Sequence, residues 1–184
     1  MPTKTEYEAR LQSYVNETIT KVMYFDGNDD EDNPYYLSND KLFHNVMWGI
    51  EFHTSSNRTF GFHWGSEFAH YGLDLLEELW DNNSEILDMS SHNQWAKVIG
   101  KKIQLIKVYW DAWLPNEIHS EDKYFPQDII ITFDTGDVYY ISVAEYYQKS
   151  DSFHFATDAV TIFFDESIAK QYSVPAFTSN TDDI

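Results

Sequence analysis

The chain has 184 residues, of which 42% are hydrophobic and 17% aromatic, and its 12 basic and 31 acidic residues give a formal net charge of −19. The apolar content excludes a disordered chain, and the length suits one domain, residues 1–184, with one packed core. A surface this acidic repels phosphate groups and attracts basic proteins. The charge therefore predicts a basic protein as partner, and neither nucleic acid nor a membrane.

The chain contains no cysteine. This excludes disulfides, thiolate metal sites and a cysteine nucleophile, and it fits a cytoplasmic protein. No apolar run approaches the ~20 residues of a membrane helix, and no apolar core of a secretory signal follows Met1. We therefore expect a cytoplasmic location, while the oligomeric state is left open.

Residues 4–24 have the pattern of an amphipathic helix. Thr3 and Glu6 match a capping box. Behind them, apolar residues recur at three- and four-residue intervals: Tyr7, Leu11, Tyr14, Val15, Ile19, Val22 and Met23. We expect the apolar stripe of this helix to pack on a sheet.

An acidic segment follows at residues 26–32, with carboxylates at Asp26, Asp29, Asp30, Glu31 and Asp32. Asp26, Asn28 and Asp30 match the first three ligand positions of a calcium loop. However, Glu31 stands where that loop needs glycine, and Leu37 where it needs a bidentate glutamate. A solvated or partner-facing segment is therefore favoured over a calcium site.

Alternating apolar residues predict a hairpin at residues 48–64 with one apolar face: Trp48, Ile50, Phe52, Phe60, Phe62 and Trp64. A three-residue loop at 55–57 pairs Phe52 with Phe60 and Ile50 with Phe62, and it puts Asn57 where left-handed geometry is needed. The other face then carries Glu51, His53, Thr59 and His63. The two imidazoles lie several residues apart in this register, so a polar or binding face is favoured there over a metal site.

The remaining elements alternate between helix and strand. Leucine spacing predicts a helix at residues 73–80, and Ser91 and Gly100 bound a short helix at 91–99. Residues 101–113 predict a strand that is apolar on both faces, which is typical of a central strand covered on both sides. We expect a polar bridge at 150–158, a last strand at 159–164, a short helix at 166–172 and a tail at 173–184.

Asp134, Thr135 and Gly136 spell the Asp-Thr-Gly triplet of aspartic proteases. A catalytic Asp of that kind shares a proton with a second Asp about 3 Å away. The chain has no second copy of the triplet, and Asp137 follows where the family has Ser or Ala. A hairpin turn explains the triplet better, because left-handed Gly136 lets the apolar residues of the flanking strands pair.

Together these elements predict an α+β fold, with an antiparallel sheet of about five to six strands and the N-terminal helix and short helices packed on it. The chain has no phosphate-binding glycine loop, no His-Glu-x-x-His and no Gly-x-Ser-x-Gly, and its seven histidines are scattered. The sequence therefore predicts no enzyme, no metal site and no cofactor.

Two stretches, residues 95–103 and 126–136, lie within a small, acidic, cysteine-free and aromatic-rich chain that resembles bacterial immunity proteins. Those proteins neutralise polymorphic or contact-dependent toxins, and the resemblance implies a tight complex with a cognate, often basic, toxin domain. Such a partner would meet two acidic segments: Asp26, Asp29, Asp30, Glu31 and Asp32, and Glu117, Glu121 and Asp122.

Trp110 and Trp113 are candidate aromatic anchors for this partner, although core packing is the commoner role of such rings. Two alternative functions stay open at this point. One is a ligand-binding or structural module that uses an aromatic sheet face, and the other is a small hydrolase with an unrecognised site.

Overall fold

The computed structural model describes residues 2–26, 36–38, 42–68, 71–77, 85–112 and 124–178. These residues form mostly β-strands with a few short helices. In chain order they are α1 (Lys4–Gln12), β1 (Ile19–Asp26), β2 (Tyr36–Ser38), β3 (Phe43–Val46), β4 (Gly49–Thr54), β5 (Thr59–Gly65), β6 (Gly72–Leu76), β7 (Glu85–Asp88), a 3-10 helix (Trp95–Lys97), β8 (Ile103–Ala112), β9 (Tyr124–Phe133), β10 (Val138–Tyr147), β11 (Ser152–Phe163), α2 (Glu166–Gln171) and α3 (Pro175–Thr178).

The described strands form two antiparallel sheets that pack face to face. A five-stranded sheet has the order β6-β5-β4-β1-β7, and a six-stranded sheet has the order β2-β3-β11-β10-β9-β8. The prediction of antiparallel sheet with a few helices is confirmed, but the prediction of a single sheet is wrong. Alternation along a strand shows which side chains face the core, and it does not show which sheet the strand joins.

Trp95 is fully buried between the two sheets. Its ring packs edge-to-face on Phe52 of the five-stranded sheet at 5.6 Å and on Tyr139 of the six-stranded sheet at 5.2 Å, measured between ring centroids. Its Nε1–H donates to the hydroxyl of Tyr24 at 2.6 Å. The helix predicted around it at residues 91–99 is present only as one 3-10 turn.

The two hairpins have the predicted registers. Phe52 pairs with Phe60 in the first, where Asn57 has a φ of 60°. Ile129 pairs with Ile141 in the second, where Gly136 has a φ of 89°. Asp-Thr-Gly is therefore a turn, and its Asp134 is exposed to solvent.

The helix predicted at residues 4–24 is wrong beyond α1, which ends at Gln12. Asn16 then takes a left-handed φ of 76°, and the chain continues as β1. Both faces of β1 are buried, so apolar residues follow one another without alternating and their spacing imitates that of a helix: Val22, Met23, Tyr24 and Phe25.

α1 joins the edge strands β6 and β8. Its capping box between Thr3 and Glu6 is formed as predicted. The hydroxyl of Tyr7 donates to the carbonyl of Leu73 in β6, and Nε2 of Gln12 donates to the carbonyl of Ile106 in β8 at 2.8 Å. The helix thus satisfies backbone carbonyls on one edge of each sheet.

Two predictions about single elements are corrected here. Residues 72–76 are the edge strand β6 and not the start of a helix, because Leu73 and Leu75 pack into the core from alternate positions. β8 is a strand as predicted, but it lies at the edge of its sheet. α1 packs against β8 and covers part of it. This cover accounts for the apolar residues that predict a central strand.

The C-terminal residues pack against the six-stranded sheet, where they help to form a second apolar cluster. β11 begins at Ser152, so the polar bridge predicted at 150–158 is largely strand, while the short helix predicted at 166–172 is confirmed as α2. Val174 is fully buried and α3 follows it, so residues 174–178 are no free tail. Residues 179–184 lie outside the described part of the chain.

We expect Tyr7→Phe to lower the free energy of unfolding by about 1–3 kcal/mol, because a buried hydrogen bond between α1 and β6 is lost. Urea denaturation followed by circular dichroism measures the change. Tyr147→Phe is the matched control, since its hydroxyl bonds Glu145 at the exposed surface and its loss should cost less than about 0.5 kcal/mol. Equal losses in the two variants would contradict the bridging role of α1.

Candidate protein-binding site

The hairpin turns at 55–57 and 134–136 lie at the same end of the sandwich. The N–H of Ser55 donates to the carbonyl of Thr18 at 2.9 Å, and Thr18 forms a β-bridge with Lys102. The carbonyl of Lys102 accepts the N–H of Asp134 at 2.9 Å. These contacts join the loop at 55–57 to the loop at 134–136, and we call this end the turn end.

The opposite end, which we call the loop end, gathers strand termini from both sheets. Trp48 donates its backbone N–H to the carbonyl of Phe25 at 3.2 Å, close to the last residue of β1. Gly72, the first residue of β6, pairs with Gly65, the last of β5. A Cβ added to Gly72 would stand 2.9 Å from Cδ of Pro126, so β9 of the other sheet begins beside it. The loop end therefore extends from β1 to the start of β9.

Both acidic segments are attached at the loop end. The first follows Asp26, the last residue of β1, and the second joins Ala112 of β8 to Tyr124 of β9, which pair with each other. The other acidic candidates and Trp113 lie outside the described residues: Asp29, Asp30, Glu31, Asp32, Glu117, Glu121 and Asp122. Their contacts stay predictions, but the fold places both attachment points at the same end of the sandwich.

Trp110 is held by residues of the protein itself. The half-buried ring packs against Tyr7 at 5.5 Å and Phe68 at 5.1 Å between centroids, and its Nε1–H donates to Glu8 at 2.8 Å. The ammonium of Lys4 lies 5.3 Å from the ring centroid. Trp110 thus fixes α1 to β8, and a contact with a partner stays a prediction.

A second group of rings lies at the loop end. Trp48 and Trp64 stack with centroids 5.4 Å apart and planes 17° apart, and Tyr71 lies 5.9 Å from Trp64. Nε1–H of Trp64 donates to the carbonyl of Met47 at 2.7 Å. Met47 is 44% exposed and the three rings are half-buried. We call these four residues the aromatic patch.

Asp74 is a buried carboxylate next to this end. It accepts the N–H of Glu67 at 3.0 Å and lies directly on Gly65, where any side chain would overlap it. Burial raises the pKa of Asp74 to about 7, in spite of the hydrogen bonds that lower it. This carboxylate therefore takes up a proton close to neutral pH.

Asp128 of β9 is a second buried carboxylate, and it holds the C-terminal residues on the sheet. It accepts the hydroxyl of Ser142 at 2.5 Å and the N–H of Ala176 in α3 at 2.8 Å. Burial raises the pKa of Asp128 to about 7, against the opposing effect of those hydrogen bonds. The side chain links β9, β10 and α3.

His44 is fully buried, and its Nδ1 lies 2.8 Å from the hydroxyl of Tyr24. Because the indole of Trp95 can only donate, the Tyr24 oxygen accepts from it and gives its own proton to Nδ1. Burial, with a further effect from neighbouring His92, lowers the pKa of His44 to about 3. That pKa is too low for a general base near neutral pH, so the imidazole serves as a structural link.

The polar face of the first hairpin has the predicted arrangement. His53 is opposite Thr59, and its Nε2 lies 2.7 Å from Oε1 of the buried Glu51, while His63 is opposite Gly49. Within the described ranges no three metal-ligating side chains come together as a metal site. Nor does any helix there have the length and apolar character needed to cross a membrane.

Comparison with known proteins adds no relative. The chain matches no protein-family model, no curated protein and no solved structure. The resemblance to immunity proteins stays an expectation, and the function has to be argued from the geometry of the site.

The aromatic patch and the buried carboxylates are the features that sequence reasoning missed. The hairpin pattern assigns Trp48 and Trp64 to the apolar face, and they are its outermost members. Their position at the strand ends was the sequence feature that could have indicated an exposed aromatic group. Asp128 stands beside an apolar run in β9, which signals an unusual carboxylate but does not name its partners.

The raised pKa of Asp128 makes stability depend on pH. The pKa of an unfolded Asp is about 4, so between about pH 4 and pH 7 the folded chain keeps a proton that the unfolded chain has lost. The free energy of unfolding therefore falls as pH rises through this window. Asp74 contributes with the same sign.

We expect Asp128→Asn to flatten part of this fall and to be more stable than wild type at pH 8. Asn keeps an oxygen for the N–H of Ala176 and has no charge to bury. Thermal unfolding from pH 4.5 to 8 measures the effect, with Asp134→Asn at the exposed turn as control. A pH dependence identical to wild type in Asp128→Asn would show that the buried carboxylate is ionised throughout.

Proposed function

We propose that the chain is a non-catalytic acidic protein that binds a basic protein partner at the loop end and neutralises it, as immunity proteins do with toxin domains. One observation carries the proposal: both acidic segments are attached at the same end of the sandwich, while the hairpin turns at 55–57 and 134–136 lie at the other end. Carboxylates gathered at one end give a directed field, which speeds encounter with a basic surface and orients it.

The overall charge supports the same class of partner. At −19 the chain repels nucleic acid and anionic lipid. The proposal places the encounter in the cytoplasm, with which the lack of cysteine agrees.

The alternative of a module that binds a ligand on an aromatic sheet face gains no support from the structure. Phe52 and Phe60 stack on each other at 5.0 Å, and Phe60 stacks on Tyr14 at 4.4 Å. All three rings are buried. The protein's own side chains therefore fill the face that a ligand would need.

A protection assay tests the proposed function directly. The chain is co-expressed with the product of the gene immediately upstream of its own, which the proposal expects to carry the toxin domain, and the growth of the cells is followed. We expect growth with the chain and arrest without it. Arrest in both cultures, together with no binding between the two purified proteins, would overturn the proposal.

Removing charge from the second acidic segment should slow the encounter. We expect Glu117→Gln with Glu121→Gln to lower the association rate about 3- to 10-fold at low salt and to have little effect at 0.5 M salt, because salt screens exposed charges. Stopped-flow fluorescence with the purified toxin domain measures the rate.

The matched control is Asp134→Asn with Asp137→Asn, which removes the same charge at the turn end. Its association rate should stay within about 2-fold of wild type. If both double variants slow association equally, net charge guides the partner and the loop end has no special part.

A further inference from the structure

We propose that the aromatic patch is the central anchor of the partner interface, and that its occupant is the surface of a basic protein that presents an apolar side chain surrounded by lysine and arginine. The inference rests on the proposed function and adds to it the part of the loop end that supplies affinity.

The first argument is position. Trp48 lies against Phe25 beside the attachment of the first acidic segment. Trp64 stacks on Trp48, and Tyr71 lies next to Gly72, which meets the start of β9 near the attachment of the second segment. The aromatic patch therefore lies between the points where the two acidic segments are attached.

The second argument is chemistry. Interfaces draw most of their affinity from a few central aromatic residues within a polar rim, and methionine adapts its shape to a partner. The patch offers stacked indoles, a tyrosine ring and the exposed Met47. The rings are already ordered by stacking and by the hydrogen bond from Trp64, so little side-chain entropy is lost on binding.

The third argument identifies the occupant as basic. At the same end, the ammonium of Lys4 lies 3.4 Å from the ring centroid of Tyr124 and 5.3 Å from that of Trp110. This shows that ring faces beside the acidic attachments already hold a cation. Lysine or arginine of a partner can use the faces of Trp48 and Trp64 in the same way.

One exposed apolar residue, Leu105, lies outside this setting. Leu105 is 38% exposed, but it pairs with Thr132 towards the turn end, away from both acidic attachments. It therefore serves as the control for Met47, because the two are similar in size, apolar character and exposure.

The test compares Met47→Lys with Leu105→Lys, using the purified upstream toxin domain as the probe. We expect Met47→Lys to raise Kd at least about 10-fold, chiefly through faster dissociation, and Leu105→Lys to stay within about 2-fold of wild type. Met47→Ala, which adds no charge, should weaken binding less but in the same direction. Thermal unfolding of each variant shows whether it is folded.

The possible outcomes separate this inference from the proposed function. If wild type does not bind the toxin domain, the proposed function fails. If wild type binds and both Met47 variants bind equally well, the patch inference fails while the proposed function stands. Sedimentation velocity of the chain alone tests whether a second copy is the occupant. A dimer that Met47→Lys converts to a monomer would show that the patch binds a second copy and would overturn the inference.

Discussion

The packing of Trp95 between the sheets is the interaction on which the arrangement of both sheets depends. Its indole donates to Tyr24 of β1, and Tyr24 donates to His44 of β3, so a chain of hydrogen bonds crosses from the five-stranded to the six-stranded sheet. Tyr139 adds a bond from β10 to the carbonyl of Gln94 at 2.6 Å. Each edge-to-face ring pair around Trp95 stabilises the fold by about 0.5–1.5 kcal/mol beyond the effect of burial. Each buried polar group in this hydrogen-bond network also constrains the relative position of the sheets.

Fixing the two sheets also fixes what meets at each end of the sandwich. The hairpin turns at 55–57 and 134–136 are tied together by backbone hydrogen bonds through Thr18 and Lys102. Both acidic connections leave from the opposite end, where Gly72 allows β6 to approach Pro126. Function concentrates in long connections held by a rigid scaffold, and here two acidic ones start from strands that the core holds together.

The sequence was sufficient for the features that local geometry decides. Asn57 and Gly136 each mark a left-handed turn, and once the turn is placed the side-chain alternation permits one register. β1 shows no such alternation because both of its faces are buried. The spacing of its apolar residues therefore resembles that of a helix. The division into two sheets, the position of β8 at an edge and the partners of Asp128 depend on contacts between distant segments, which no local pattern encodes. For the same reason the acidic segments could be found from composition, whereas their common end could not.

In the proposed interface, two kinds of residue at the loop end have different parts in binding. Exposed carboxylates act over a distance, so they set the rate and direction of encounter, but each adds little to the life of a complex because solvent and salt screen it. Half-buried rings act only on contact, and there they exclude water and slow dissociation. Trp110 cannot easily serve this second purpose, because Glu8, Tyr7 and Phe68 already occupy it and its release would loosen α1. Trp48 and Trp64 stack on each other, and Met47 beside them is 44% exposed, so its side chain is open to a partner.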